Sequence, residues 1–245
     1  MRRHLVFMIG MATTVLPLAL AGSALAVPIN IAVDIDSTRL SGSNTTGTIT
    51  TQPGFTSWDL TNVGTGGTMT TIDGITFEAF GLAGANQSRV RAVGGGGGPS
   101  DALLSDFLFN EGAAGRAIGL RITGLEVGPY EMSSWHFDAD AGVQAVENFL
   151  QVEVRNQGGP GTVLVDSYPF SESATSFLFS VTEVGQVKEI IFREDDVATD
   201  TDPVDQNRAR LNGFTLQTVP EPSSLALVAA ACAAIFLRRR IGAYN

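Results

Sequence analysis

Cysteine, lysine and histidine are nearly missing from this chain. The one cysteine, Cys232, sits in an apolar run near the C-terminus, so no disulfide can close within the chain. Zinc sites of the usual Cys/His make-up and a Cys–His nucleophile pair are excluded by the same scarcity. Of the two histidines only His136 lies outside the N-terminal segment. A Ser-His-Asp triad would have to use it, and no G-x-S-x-G nucleophile elbow accompanies it. Lys188 is the single lysine. The chain has 25 acidic and 15 basic residues; setting aside Glu221 and Arg2, Arg3, Arg238, Arg239 and Arg240 leaves 24 against 10, a net charge near −14. Such a body is repelled by nucleic acid and by anionic lipid, and suits divalent cations or neutral partners.

Long hydrophobic runs occur only at the two ends. Residues 1–26 have the build of a secretory signal peptide: Arg2, Arg3 and His4, an apolar centre over 5–20, and Ala24-Leu25-Ala26 as an A-x-A cleavage site. Signal peptidase and the general secretion machinery are the partners this predicts. Residues 219–245 read VPEPSSLALVAAACAAIFLRRRIGAYN. Pro220, Glu221 and Pro222 form a rigid triplet, residues 223–237 an uncharged run, and Arg238, Arg239 and Arg240 a basic stop. As a helix the run is roughly 22 Å long, a short transmembrane segment completed by snorkelling arginines or local thinning. The arginines belong on the cytoplasmic side, which leaves the preceding chain outside. This tail resembles the PEP-CTERM sorting signal of bacterial surface proteins. The resemblance implies recognition by an exosortase and processing near Pro220, Glu221 and Pro222.

Between the ends, residues 27–218 are long enough for one domain with a real core. The dominant period is two. Residues 29–35 alternate Ile29, Ile31, Val33 and Ile35 with small or polar residues and open the domain as a strand. Further strands are predicted over 56–60, 68–72, 75–80, 89–93, 117–123, 130–138, 147–155, 162–168, 175–181, 187–193 and 210–217. Asp73-Gly74 signals a tight hairpin. DALLSDFLFN at 101–110 is the one short helix, with a strand over 103–109 as its alternative. Gly94 to Gly98, followed by Pro99, is a flexible break without the Gly-Lys-Ser/Thr of a phosphate loop. The expectation is an all-β, two-sheet sandwich of jelly-roll type, preceded by the signal peptide and followed by the short transmembrane helix.

The stretch around Gly124-Leu125, Gly128 and Tyr130, ending in His136 and Asp138, resembles galactose-binding and malectin-like jelly rolls. That resemblance implies carbohydrate recognition as a class. Trp135, His136 and Asp138 are the candidate ligand-binding residues, with Trp58 and Tyr130 as further stacking aromatics; a solvated strand end is the alternative. Asp195, Asp196, Asp200, Asp202 and Asp205 place five carboxylates in one loop. Calcium takes six to eight oxygens, so this loop is the candidate metal site, against a plain solubilising loop. Its spacing is not that of an EF-hand. Asn44 and Asn86 head N-glycosylation sequons, a chemistry that a bacterial sorting tail does not call for. The reading is an exported, non-enzymatic envelope or matrix protein in contact with exopolysaccharide. Its alternatives are a calcium-assisted lectin-like module and, with no marked carboxylate pair, a surface glycan hydrolase.

Overall fold

A computed structural model describes residues 28–39, 49–63, 68–90, 101–112, 117–137, 149–169, 172–194 and 207–220. Residues 1–26 expected as a signal peptide, Gly94 to Gly98, Asp138, the carboxylates of the acidic loop (Asp195, Asp196, Asp200, Asp202, Asp205) and the tail from Glu221 through Arg240, with its expected transmembrane segment, lie outside them.

Among the described residues, fourteen strands and one short helix follow in chain order: β1 Asn30–Asp36, β2 Thr56–Asp59, β3 Thr68–Ile72, β4 Ile75–Leu82, β5 Gln87–Val90, α1 Asp101–Ser105, β6 Asp106–Gly112, β7 Ala117–Thr123, β8 Gly128–Trp135, β9 Phe149–Asn156, β10 Gly161–Pro169, β11 Thr175–Val181, β12 Lys188–Glu194, β13 Asn207–Leu211 and β14 Gly213–Thr218. They form a five-stranded sheet (β11-β8-β14-β1-β2), a six-stranded sheet (β10-β9-β12-β7-β4-β3) and a small three-stranded sheet (β13-β6-β5). The two large sheets make a jelly-roll-like sandwich, the chain crossing between them repeatedly after β7. The pairings of these strands are antiparallel except β1 with β2.

The period-two pattern explains the layers. Along β11, Thr175, Phe177, Phe179 and Val181 are buried while Ser176, Leu178 and Ser180 face solvent. Ile31, Val33 and Ile35 of β1 and Phe214 and Leu216 of β14 enter the same core as Phe77, Leu120, Ile122, Val152 and Phe192 of the opposite sheet. Phe77 meets Phe214 across the two sheets at 5.1 Å between ring centroids. Burying each such side chain contributes about 1.5–3 kcal/mol, which is what a disulfide-free domain must rely on.

Asp73 and Gly74 both take positive φ, 51° and 81°, as the β3–β4 hairpin turn requires. Two local expectations are corrected. Residues 101–110 are neither all helix nor all strand: α1 stops at Ser105 because Asp106 onward finds backbone partners on β5 and β13. The run 210–217 is two strands in two sheets, broken at Asn212. There the Asn212 side chain accepts from Phe137 N at 2.6 Å and donates to the carbonyl of Asp106 at 2.9 Å. Its backbone N–H reaches Trp135 O and its carbonyl accepts from Ile35 N, both at 2.9 Å. Asn212 thus ties the end of β8, the α1–β6 junction and β1 together.

Candidate functional site

At that junction the outer face of the five-stranded sheet carries a row of residues in register. Trp135 on β8 lies opposite Gly213 on β14, Gly213 opposite Asp34 on β1, and Asp34 opposite Ser57 on β2. Gly213 is required here, since an added Cβ would come within 2.6 Å of Leu103 Cδ1 and of Val33 O. The helix α1 therefore packs over the row. On its other side, Gln52-Pro53-Gly54-Phe55 closes a turn with Phe55 N donating to Gln52 O at 3.0 Å. Pro53 supplies the fixed φ of the second position and Gly54 (φ 87°) the positive φ of the third, as a type II turn demands. This turn sets Phe55 edge-on to Trp135, ring centroids 5.8 Å apart. Both rings are partly exposed, so the pair is an accessible aromatic surface.

The other sequence candidates are placed differently. His136 is buried, and its ring packs on Phe192 at 5.1 Å. Nδ1–H donates to Arg210 O at 2.5 Å and Nε2 accepts from the Ser134 hydroxyl at 2.8 Å. Burial lowers its pKa to about 4, so the ring is neutral and committed on both nitrogens. Strand β8 ends at Trp135, short of the predicted 130–138, and His136 follows it. Trp58 and Tyr130 are buried, not stacking aromatics. Trp58 faces inward because parallel pairing sets it beside Ile35. Tyr130 donates its hydroxyl to Glu126 O at 2.9 Å, a tyrosine corner of the kind that closes sandwich turns. The Gly128/Tyr130 signal is thus structural. Asn86, heading a sequon, is also buried.

Sequence reasoning missed a second feature of the same face. Asp34, Asp36 and Asp106 are all fully buried. Asp34 and Asp36, two residues apart on β1, share one face, and Asp106 arrives from the α1–β6 junction. Each uses one carboxylate oxygen. Asp34 Oδ2 accepts from Gln52 N at 2.5 Å, and Asp36 Oδ2 accepts from the hydroxyls of Thr51 (2.8 Å) and Ser57. Asp106 Oδ2 accepts from Ser37 N at 3.4 Å, while Ser37 Oγ donates to Ser88 Oγ at 3.0 Å. The other oxygen, Oδ1 of all three, is buried without a hydrogen-bond partner. Desolvation above all, with the neighbouring carboxylates adding, raises Asp34 to about 7 and Asp106 to about 8. The one sequence signal was the Asp-x-Asp spacing at the end of a strand.

The C-terminal end of the sandwich leads straight into the tail. Thr218 N donates to Ile29 O at 3.1 Å, Val219 N to Pro129 O at 3.0 Å, and Pro220 is exposed. Among the described residues no helix is long and apolar enough to cross a membrane, and 223–237 lie outside them. Fold and tail together define a β-sandwich delivered by a sorting segment. That segment is specific: residues 218–240 match the PEP-CTERM protein-sorting motif. The chain is accordingly one that is exported and associated with the envelope.

No match is found among curated protein sequences. Among solved structures, the chain is similar to TmCBM61 in complex with β-1,4-galactotriose, at 11% identity and a TM-score of 0.33, over 58% of this chain and 88% of that one. A family 29 carbohydrate-binding module aligns at 11% identity and a TM-score of 0.30, over 80% of this chain and 99% of that one. The exo-β-1,3-galactanase of Phanerochaete chrysosporium aligns at 12% identity and a TM-score of 0.32, over 62% of this chain. The match spans 29% of that galactanase and 20% of the bacteriophage CBA120 tailspike protein 4 domain.

Proposed function

We propose that this is a non-enzymatic surface protein that an exosortase sorts to the cell envelope or extracellular matrix, where its sandwich contacts exopolysaccharide. The observation that carries the reading is the PEP-CTERM match at 218–240, contiguous with the last strand of the sandwich. Translocation comes first, then retention by the 223–237 segment and cleavage near Pro220. Because Val219 is still hydrogen-bonded to the sheet, the sandwich is held close against the membrane until it is released. A non-enzymatic role is supported by His136, whose ring is buried and committed. Changing both Pro220 and Pro222 to alanine should leave an unprocessed, membrane-retained form. Normal processing of that variant would remove the sorting assignment.

The lectin-like alternative is favoured by one observation, the partly exposed Phe55–Trp135 pair, since flat aromatic surfaces with nearby polar groups suit amphipathic ligands. Binding of the full-length protein to a polysaccharide panel tests it. Saturable binding to one glycan class, weakened at least about tenfold by Trp135→Ala (about 1.4 kcal/mol), supports a lectin. No binding to any member leaves matrix display as the function.

A further inference from the structure

We propose that Asp34, Asp36 and Asp106 bind one divalent cation, of the calcium class, where β1 meets the 49–55 segment and α1. Two segments distant in sequence, β1 and the α1–β6 junction, bring these carboxylates into one solvent-free region, and each presents an oxygen without a hydrogen-bond partner. The pattern is not required by packing. An asparagine at each position would accept the same bonds through its carbonyl without burying charge. An unpaired buried carboxylate is strongly unfavourable, and its ordinary remedies are an arginine or lysine, a proton or a metal ion. Among the described residues no arginine or lysine contributes to the raised pKa values of Asp34 and Asp106, which burial and the other carboxylates raise against the Gln52 and Ser37 N–H groups. Arg121, Arg155 and Arg193 of the six-stranded sheet are engaged with Glu78, Glu189 and Glu153.

The donor set also selects the ion. It is all oxygen, with the hydroxyls of Thr51 and Ser57 on Asp36, and it contains no sulfur or imidazole for zinc. Among the described residues no three acid, histidine or cysteine side chains already close round a common point. The ion must therefore draw the free oxygens inward by rotation about the Asp χ2 bonds, torsions with broad minima. Calcium accepts irregular shells of six to eight oxygens, whereas magnesium demands a near-ideal octahedron, so calcium is the better fit. Binding would fix the 49–55 segment, which holds Asp34 and Asp36 through Gln52 and Thr51 and carries Phe55. The site uses none of the carboxylates of the acidic loop, and it does not depend on the glycan reading.

The experiment is thermal unfolding and calcium titration of the full-length protein in mild detergent, with calcium chloride, magnesium chloride or chelator. With calcium at about a hundredfold over its dissociation constant the midpoint should rise by about 5–10 °C, and less with magnesium. Asp36→Asn and Asp106→Asn should each abolish the calcium shift. In chelator each should melt close to the wild type, because the asparagine carbonyl accepts the same hydrogen bonds; this also shows that they fold. The double variant Asp200→Asn, Asp202→Asn should retain the shift. Identical wild-type melts in calcium and chelator would overturn the proposal. So would a calcium shift that survives in both Asp36→Asn and Asp106→Asn, or one that is lost in the Asp200/Asp202 variant.

Discussion

The two large sheets treat their charges in opposite ways. On the outer face of the six-stranded sheet, Glu78, Arg121, Glu189 and Arg155 stand directly opposite one another on β4, β7, β12 and β9. Their contacts run in sequence: Arg121 Nη1 to Glu78 at 2.5 Å, Arg121 Nη2 to Glu189 at 2.9 Å, and Arg155 Nε to Glu189 at 2.9 Å. Arg121 also caps the Phe80 ring at 4.8 Å. At the five-stranded sheet Asp34 and Asp36 of β1, with Asp106 at the start of β6 in the small sheet, are more deeply buried, yet each leaves an oxygen unpartnered. The ladder is complete as the polypeptide alone. The aspartate cluster is complete only with something added, a proton or a cation. The same kind of residue therefore reads as structure where its partner is in the chain, and as function where it is not.

The largest effect is expected at the centre of the ladder. The Glu189 side chain is only 4% exposed and bridges two arginines. Glu189→Ala strands both guanidinium groups in a part-buried face, and should lower the unfolding free energy by about 3 kcal/mol. Urea unfolding of wild type and variant measures this. A loss below about 1 kcal/mol would mean that the ladder is no more than a set of surface pairs, and the contrast with the aspartates would weaken.

Neither arrangement was fully legible in the sequence, although the framework was. Alternation fixed the inward face of β1, and Asp73-Gly74 announced its hairpin. The ladder depends on register between strands whose paired residues are 43 and 68 positions apart, which no local pattern encodes. Asp34 and Asp36 alternate with the core residues Val33 and Ile35, and so look like the wet face of a strand. They are buried because α1 and the Gln52 turn fold over that face, and both are tertiary contacts. Trp58 shows the converse. A tryptophan in a short polar strand looks like a ligand platform, but parallel pairing with β1 turns it inward. The tail needed no fold to be read, because its signal is the linear order of triplet, apolar run and arginines.

A second, intermediate effect separates proton from cation at the aspartates. In chelator the folded chain keeps Asp34 and Asp106 protonated up to about pH 7 and about 8, whereas an aspartate ordinarily titrates near 3.8. Their raised pKa values contribute stability that is fully present below about pH 4 and is lost as pH rises through 7 and 8. His136 acts in the other direction. Its pKa is lowered from 6.5 to about 4, so its contribution is present above 6.5 and is lost as pH falls toward 4. Between pH 6.5 and 8.5 the acids alone act, and cation-free protein should lose about 2 kcal/mol. Saturating calcium should flatten that limb. A flat limb in chelator would show that these carboxylates are already ionised and neutralised within the chain, which would erase the contrast between the sheets.

The smallest effect belongs to the open end of the ladder. Arg193 reaches Glu153 at 2.6 Å, but its side chain is 35% exposed, and Glu153 keeps a second base, Arg155, at 4.0 Å. Removing Arg193 leaves no charge stranded, and solvent screens what remains. Arg193→Ala should therefore cost less than about 1 kcal/mol, and the cost should shrink as salt is raised. Measured beside Glu189→Ala, it tests whether burial and the number of partners, rather than ion pairing as such, set the worth of each rung. If the two variants cost the same, exposure is not the controlling variable. A buried carboxylate without a partner would then have no energetic need to recruit one.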